Sequence, residues 1–167
     1  TIAFVIWIQA DHDKNFTDPE SLRMIDKIEA ELLSRYKELT HAFSIADYLK
    51  EFNQAFNANN RAYFSVPETR QDVLDAYELG DPEVLDRLVS PDRRGVSLTF
   101  LSKWNSNEQG YRLHAETTKY LQEALGPSFT FNITGLSSLY LTMDKHLQES
   151  QIQSFFYRIH HHFFHDA

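Results

Sequence analysis

Two parts of the sequence each follow the order strand, helix, strand. In the first part, residues 2–8 form an unbroken apolar run, which is expected of a strand with neighbours on both sides. Asp18-Pro19-Glu20 then supplies a capping residue, a proline at the first helical position and an acid in the first turn. A second strand is predicted over residues 39–45. Between them, apolar side chains recur at helical spacing: Leu22, Ile25, Ile28, Leu32 and Tyr36.

The second part repeats this order. Residues 96–100 alternate apolar and polar side chains and predict a third strand, and residues 129–133 predict a fourth. A helix is predicted over residues 105–125, ended by Gly126-Pro127. Two β-α-β units in tandem predict an α+β, ferredoxin-like fold, an antiparallel four-stranded sheet with two helices on one face. One stripe of the second helix is expected to contain Tyr111, His114, Thr118, Leu121 and Leu125.

A helical insertion is predicted over residues 46–91, between the two units. Turn signals at Pro67, Gly80-Asp81-Pro82 and Ser90 divide it into short helices. Its aromatic side chains either form a small core or, where exposed, present a surface that suits a lipid or other apolar cargo. We therefore take five residues as candidates for a substrate path: Phe52, Phe56, Tyr63, Phe64 and Tyr77.

The pattern after Gly135 predicts a long helix from Leu136 to about Phe164. At 1.5 Å per residue it would be about 43 Å long, close to the diameter of a domain of this size. It must therefore break or project beyond the domain. Its last part is more apolar than a solvated helix end should be, and we expect it to make an oligomer contact or to lie near a membrane. The residues concerned are Phe155, Phe156, Ile159, Phe163 and Phe164.

Composition restricts the class of function. The 167 residues include 16 Lys and Arg but 24 Asp and Glu, a net charge of −8, which disfavours nucleic acid as a partner. The absence of cysteine excludes thiol nucleophiles and thiolate metal sites. The common nucleotide, hydrolase and metalloprotease motifs are missing, and the acids of the insertion fall on predicted polar faces, where solvated charge is usual: Asp72, Asp75, Glu78 and Asp86. We expect neither a cofactor nor an enzyme.

Four of the eight histidines lie within the last eight residues. His161 and His165 are four residues apart and could face one metal ion on a helix. Because the only acid nearby is Asp166, adventitious binding is the favoured interpretation and no physiological metal site is predicted.

Several short motifs follow one another along the chain. They comprise residues 15–20, 44–50, 67–70 and 88–92, Ile133-Thr134-Gly135, and residues 149–155. In their order, the chain resembles the extracytoplasmic loop domain of predicted exporters of the resistance-nodulation-division superfamily, in the MMPL-like and hopanoid-transporter-like branch. The resemblance spans most of the chain. It implies a single porter-like α/β domain over residues 1–154.

The resemblance also implies that a helix enters the membrane near residues 149–155. Beyond Phe156 the sequence departs from the family pattern, because residues 157–162 are polar where an apolar span would continue. Residues 155–167 are therefore expected to form a helical tail that is either membrane-proximal or vector-derived. Since residue 1 is Thr rather than Met, the chain is expected to be a piece of a longer protein.

The function that the resemblance implies is non-catalytic. The chain would be a periplasmic domain of a proton-driven exporter in the bacterial inner membrane and would help to pass an apolar or lipid-like substrate. Its partners would be the transmembrane part of the same polypeptide, which would hold the proton relay, and further copies of itself. The alternative is a stand-alone ferredoxin-like module that binds a small ligand or regulates another protein through the aromatic insertion.

Overall fold

The computed structural model describes residues 2–135, 141–143, 145, 146, 149–151 and 153. Within this part, the predicted α+β class and the four-stranded antiparallel sheet are confirmed. The elements in chain order are β1 Ile2–Ala10, α1 Pro19–Arg35, β2 Leu39–Phe43, α2 Ile45–Phe56, a 3₁₀ turn Arg61–Tyr63, α3 Arg70–Leu79, α4 Pro82–Leu88, β3 Gly95–Ser102, α5 Asn107–Ala124 and β4 Phe129–Thr134.

The sheet has the strand order β2-β3-β1-β4, and all neighbouring strands are antiparallel. Ile6 of β1 lies opposite Leu98 of β3 on one side and Ile133 of β4 on the other. The prediction that the first strand has neighbours on both sides is therefore confirmed. Three helices, α2 to α4, lie between β2 and β3 in the chain.

Side-chain caps set the boundaries of the first helices. Asp18 accepts a hydrogen bond from the backbone N–H of Glu20 at the start of α1, as the sequence predicts. Ser44 caps α2, and Asp47 accepts a hydrogen bond from the backbone N–H of Ser44 in a capping box. The prediction that the second strand extends to Ile45 was wrong, because this cap places Ile45 in the helix.

One face of the sheet forms the core. Phe4, Ile6 and Ile8 of β1 are completely buried and belong to a single cluster with the apolar stripes of α1 and α5. The opposite face, which we call the open face, is exposed at β2 and β4 and half-buried along β1, so the first strand is fully buried on one side only. The pairing of the four strands places thirteen residues on the open face: Ala3, Val5, Trp7, Gln9, His41, Phe43, Gly95, Ser97, Thr99, Leu101, Thr130, Asn132 and Thr134.

Two predictions concern residues outside the described part of the chain. The helix expected from Leu136 to Phe164 falls mostly there, and so do the aromatic tail and the histidine pair: Phe155, Phe156, Ile159, Phe163 and Phe164, with His161 and His165. Among the helices that the structure describes, none combines the length and apolar character that crossing a bilayer requires.

Candidate functional site

The exposed aromatic side chains of the insertion begin on α2. Phe52 and Phe56 are four residues apart and therefore lie on one face of the helix. Their rings stack with a centroid separation of 5.1 Å and an interplanar angle of 18°. Phe52 is half-buried, whereas Phe56 is 67% exposed. The pair therefore presents an apolar surface to solvent instead of closing a core.

A groove lies between this ring pair and the start of α3. It encloses about 180 Å³ and is lined by Phe52, Asn53, Phe56, Asn57, Pro67, Asp72 and Asp75. We call it the α2–α3 groove. One wall is aromatic and the other holds two carboxylates, so the groove has an apolar side and an acidic side within one small cavity.

Hydrogen bonds within α3 hold the two carboxylates. Thr69 caps the helix by accepting a hydrogen bond of 3.2 Å from the backbone N–H of Asp72, and the Thr69 hydroxyl donates to the Asp72 carboxylate. Gln71 Nε2 donates to Asp75 Oδ1 at 2.7 Å. Aromatic faces attract cations, and carboxylates form charge-assisted hydrogen bonds with them. The groove is therefore suited to a positively charged group that carries an apolar chain.

The net charge of the whole insertion, including the two groove carboxylates, also favours a cation. Residues 45–91 contain nine acidic and four basic side chains, a net charge of −5 out of −8 for the chain. A concentration of one sign of charge raises the local concentration of oppositely charged ligands. The field around the groove therefore favours cations over anions.

Tyr63 and Phe64 lie on and just after the 3₁₀ turn Arg61–Tyr63, and both rings are exposed. Phe64 lines a second cavity of about 410 Å³ with Gln54 and Arg61. The Phe64 ring also lies 5.4 Å from Lys50 Nζ, within the range of a cation–π contact. The structure thus places these two aromatics on the same insertion but not in the lining of the α2–α3 groove.

Tyr77 is separate from the other four aromatics. It is buried in the core, and its hydroxyl donates a hydrogen bond of 2.7 Å to the backbone carbonyl of Phe16. The Arg93 guanidinium lies 4.3 Å from the ring centroid. Burial raises the pKa of the Tyr77 phenol, and the charge of Arg93 partly opposes this rise. Tyr77 therefore links α3 to the segment before α1. Its role is structural, and it does not belong to the exposed aromatic surface.

A second group of charged side chains lies at the contact between α1 and α2. Lys50 Nζ is 2.6 Å from Asp26 Oδ1 and 2.9 Å from Asp47 Oδ1. Glu29 is buried beside them, and this burial raises the pKa of its carboxyl to about 8, with a further rise from the hydrogen bond to Asp47 and the charge of Asp47. Clusters with such shifts occur at active sites and in structural networks alike. This cluster joins two helices, which indicates a structural network.

A further cavity of about 400 Å³ lies between α5 and described residues that follow Gly135 in the chain. Its lining includes Tyr111, His114, His146 and Glu149, and Tyr111 donates a hydrogen bond of 2.8 Å to the carbonyl of Leu141. Burial lowers the pKa of His114. Within the described ranges, no group of three or more His, Asp or Glu side chains is placed to hold a metal ion.

The acidic side of the groove was not anticipated from the sequence. Asp72 and Asp75 were assigned to a solvated polar face; Asp72 is indeed exposed, but Asp75 is half-buried and both line the groove. The available signal was the spacing of three between the aspartates, which places them on one face of α3. That this face meets the aromatic face of α2 depends on tertiary packing.

Comparison with known proteins does not place the chain in a family. No protein-family model matches the sequence, and no curated protein matches it either. The exporter family that the motifs resemble therefore stays a prediction, and the geometry of the insertion carries the functional argument.

Proposed function

We propose that this chain is a non-catalytic periplasmic domain of a proton-driven membrane exporter and helps to pass an apolar or lipid-like substrate. The observation that carries the proposal is the exposure of aromatic side chains on the insertion, of which Phe56 is the most exposed. Burying apolar surface is favourable by about 25 cal/mol per Å². Phe52 and Phe56 make one contiguous part of this surface, and contiguous exposed apolar patches often mark a binding surface.

The fold is consistent with this proposal. The strand order β2-β3-β1-β4, with antiparallel neighbours and a β-α-β order in each half, supports a ferredoxin-like fold with a helical insertion. This is the fold that the resemblance implies for porter-type domains. In the proposed exporter, the transmembrane part of the same polypeptide carries the proton relay and the insertion contacts the substrate.

A stand-alone ferredoxin-like module is the second candidate, and the size of the groove favours it. At about 180 Å³, the α2–α3 groove is smaller than the roughly 300–1,000 Å³ of typical pockets for drug-sized molecules. It could enclose a small ligand or the head of a larger amphiphile. The flanking coding sequence separates the candidates: hydrophobic spans on both sides support the exporter, and a start and a stop codon at the chain ends support the module.

The binding proposal is tested with three probes of equal chain length. Dodecyltrimethylammonium, dodecyl maltoside and dodecyl sulfate are titrated below their critical micelle concentrations, and backbone amide resonances are followed by NMR. We expect saturable shifts in α2 and α3, with the cationic probe bound most tightly and the anionic probe least. Asp75→Asn should reduce the preference for the cation at least threefold.

Substitutions test whether the aromatic pair forms the site. Phe56→Ala should weaken binding of the cationic probe at least fivefold, because it removes half of the stacked wall. Leu79→Ala is the matched control, since Leu79 is 62% exposed on α3 but does not line the groove. Equal losses in the two variants, or shifts that never saturate, would mean that the aromatics do not form a binding site.

A further inference from the structure

The buried carboxyl of Glu29 makes a hydrogen bond that requires a proton. Glu29 lies on α1, and within the described part of the chain no group is placed to donate a hydrogen bond to its buried Oε2 atom. The Glu29 carboxyl is hydrogen-bonded to the carboxyl of Asp47 on α2. Ionised carboxylates are acceptors only, so one member of this pair must carry a proton.

The proton belongs to Glu29, because Asp47 already accepts from two other donors. The backbone N–H of Ser44 donates to Asp47 Oδ2 at 3.1 Å, and Lys50 Nζ lies 2.9 Å from Asp47 Oδ1. Lys50 is shared with Asp26, whose Oδ1 is 2.6 Å away. Three carboxyls thus face one ammonium group. If all three were ionised, two negative charges would be left unbalanced at a buried contact, which is unfavourable.

The charged groups that act on this proton lie on α1 and α2. After burial, Asp47 of α2 raises the pKa of Glu29, and Lys50 of α2 opposes the rise. Asp26 of α1 acts through its contact with Lys50. Strand β2 also packs on α1, but its titratable side chain, His41, belongs to the open face of the sheet, away from α1. The position of α2 therefore determines whether Glu29 keeps its proton.

Lys50 connects this cluster to the α2–α3 groove. Its Nζ atom lies 5.4 Å from the centroid of the Phe64 ring, within the range of a cation–π contact. The next residue, Ser65, accepts a hydrogen bond of 3.1 Å through its carbonyl from Asn53 Nδ2. Asn53 lines the groove, and so does Pro67, two residues beyond Ser65. The segment from Phe64 to Pro67 is therefore attached to α2 through Lys50 and Asn53.

We propose that the proton on Glu29 regulates ligand binding in the α2–α3 groove. When Glu29 loses this proton, a third carboxylate competes for Lys50 and attracts it away from the Phe64 ring. The segment from Phe64 to Pro67 then loses an attachment to α2, and one wall of the groove is held less firmly. The protonated form should therefore bind more tightly, and a bound ligand should in turn help Glu29 to keep its proton. This inference rests on the proposed function in that the groove binds a ligand.

The first test needs no ligand. NMR follows the side-chain carboxyl of Glu29 and the ring of Phe64 between pH 5 and pH 9, and both signals should change together with one midpoint. In Glu29→Gln the Phe64 ring should not show this transition. Glu51→Gln is the matched control, since Glu51 is an exposed glutamate of α2, and it should behave as the unmodified chain does. A Phe64 signal that does not follow the titration of Glu29 would overturn the proposal.

Binding of dodecyl maltoside tests the regulation itself, because the uncharged head of this probe is not attracted by the additional charge on Glu29. Its affinity for the unmodified chain should fall by about fivefold or more between pH 6 and pH 9 and should stay constant in Glu29→Gln. Equal affinities for the unmodified chain at the two pH values would overturn the proposal. Binding at neither pH would overturn the proposed function, and the Phe64 titration distinguishes that failure from a failure of the regulation.

Discussion

The Nζ atom of Lys50 lies 2.6 Å from the Oδ1 atom of Asp26, and this ion pair joins α2 to α1. Lys50 also contacts Asp47, and its side chain is only 14% exposed, so solvent and salt screen it less than a surface pair. Replacing Lys50 with Met would leave two carboxylates beside the buried Glu29 without their cation. We expect a loss of about 2 kcal/mol in the free energy of unfolding, measured with urea at pH 7.

Glu31→Gln is the control for that substitution. It breaks the ion pair between Arg35 and Glu31, which lies within α1 and is exposed on both sides. Exposed pairs at this spacing contribute about 0.3–0.5 kcal/mol. If both variants lose the same free energy, the contact between α1 and α2 is no stronger than a surface pair and the first prediction is wrong.

The carboxyl of Glu29 should make the stability of the fold fall with rising pH. Burial, followed by the hydrogen bond to and the charge of Asp47, raises the pKa of Glu29 from 4.5 to about 8, while Ser44 and Lys50 oppose the rise. The folded state therefore holds a proton that the unfolded state releases above pH 4.5. This contribution to stability is complete below pH 4.5 and is lost as the pH approaches 8.

Glu29→Gln isolates this effect, because glutamine cannot ionise and its amide can still donate to Asp47. The two proteins should be similarly stable near pH 5. The variant should be more stable at pH 9, by an amount on the order of a few kcal/mol. Urea unfolding at pH 5, 7 and 9 measures the difference between the free energies of unfolding of the two proteins. The contributions of other titrating groups are the same in both proteins and cancel in this difference. A difference that does not change with pH would show that Glu29 is already ionised at pH 5.

The helices show which features the sequence alone determines. The stripe of α1 was predicted correctly from Leu22 to Leu32 because these residues are large and apolar, and large apolar side chains are those whose burial is most favourable. The stripe of α5 was predicted correctly at Leu121 and Leu125, which are buried, but its first part was predicted one position away: Gly110, Leu113 and Thr117 are buried where Tyr111, His114 and Thr118 were expected. Small residues let the helix approach its neighbours closely, a property that a search for large apolar residues does not detect.

The charged cluster was also missed. Glu29 follows Ile28 on the buried side of α1, but a local pattern gives no reason to bury a glutamate. The reason lies in α2, which brings Asp47 and Lys50 to the same point. As with the two sides of the α2–α3 groove, each helix was predictable and the contact between them was not.

Tyr77→Phe should destabilise the protein although it changes only one atom. The phenol donates to the carbonyl of Phe16 in a buried position, and its loss leaves a buried acceptor without this donor. We expect a decrease of about 1–2 kcal/mol in the free energy of unfolding. Tyr63→Phe, at an exposed position on the 3₁₀ turn, should change stability by less than about 0.5 kcal/mol. If the two substitutions have equal effects in chemical denaturation, Tyr77 is not the tie between α3 and the segment before α1.

Gly95→Ala tests how closely Trp7 packs on the open face. The new methyl group would overlap the Trp7 indole and lie 2.9 Å from Gln9 Oε1, so the indole must move off the sheet. Overpacking of this kind is unfavourable by about 1–3 kcal/mol.

Gly126→Ala is the matched control, because a Cβ atom there has nothing within 4 Å. The smaller entropy of its unfolded chain should leave stability unchanged or slightly raised. Thermal unfolding measures both effects, and Trp7 fluorescence should shift only in Gly95→Ala. An unshifted spectrum with full stability would mean that the indole does not lie over Gly95.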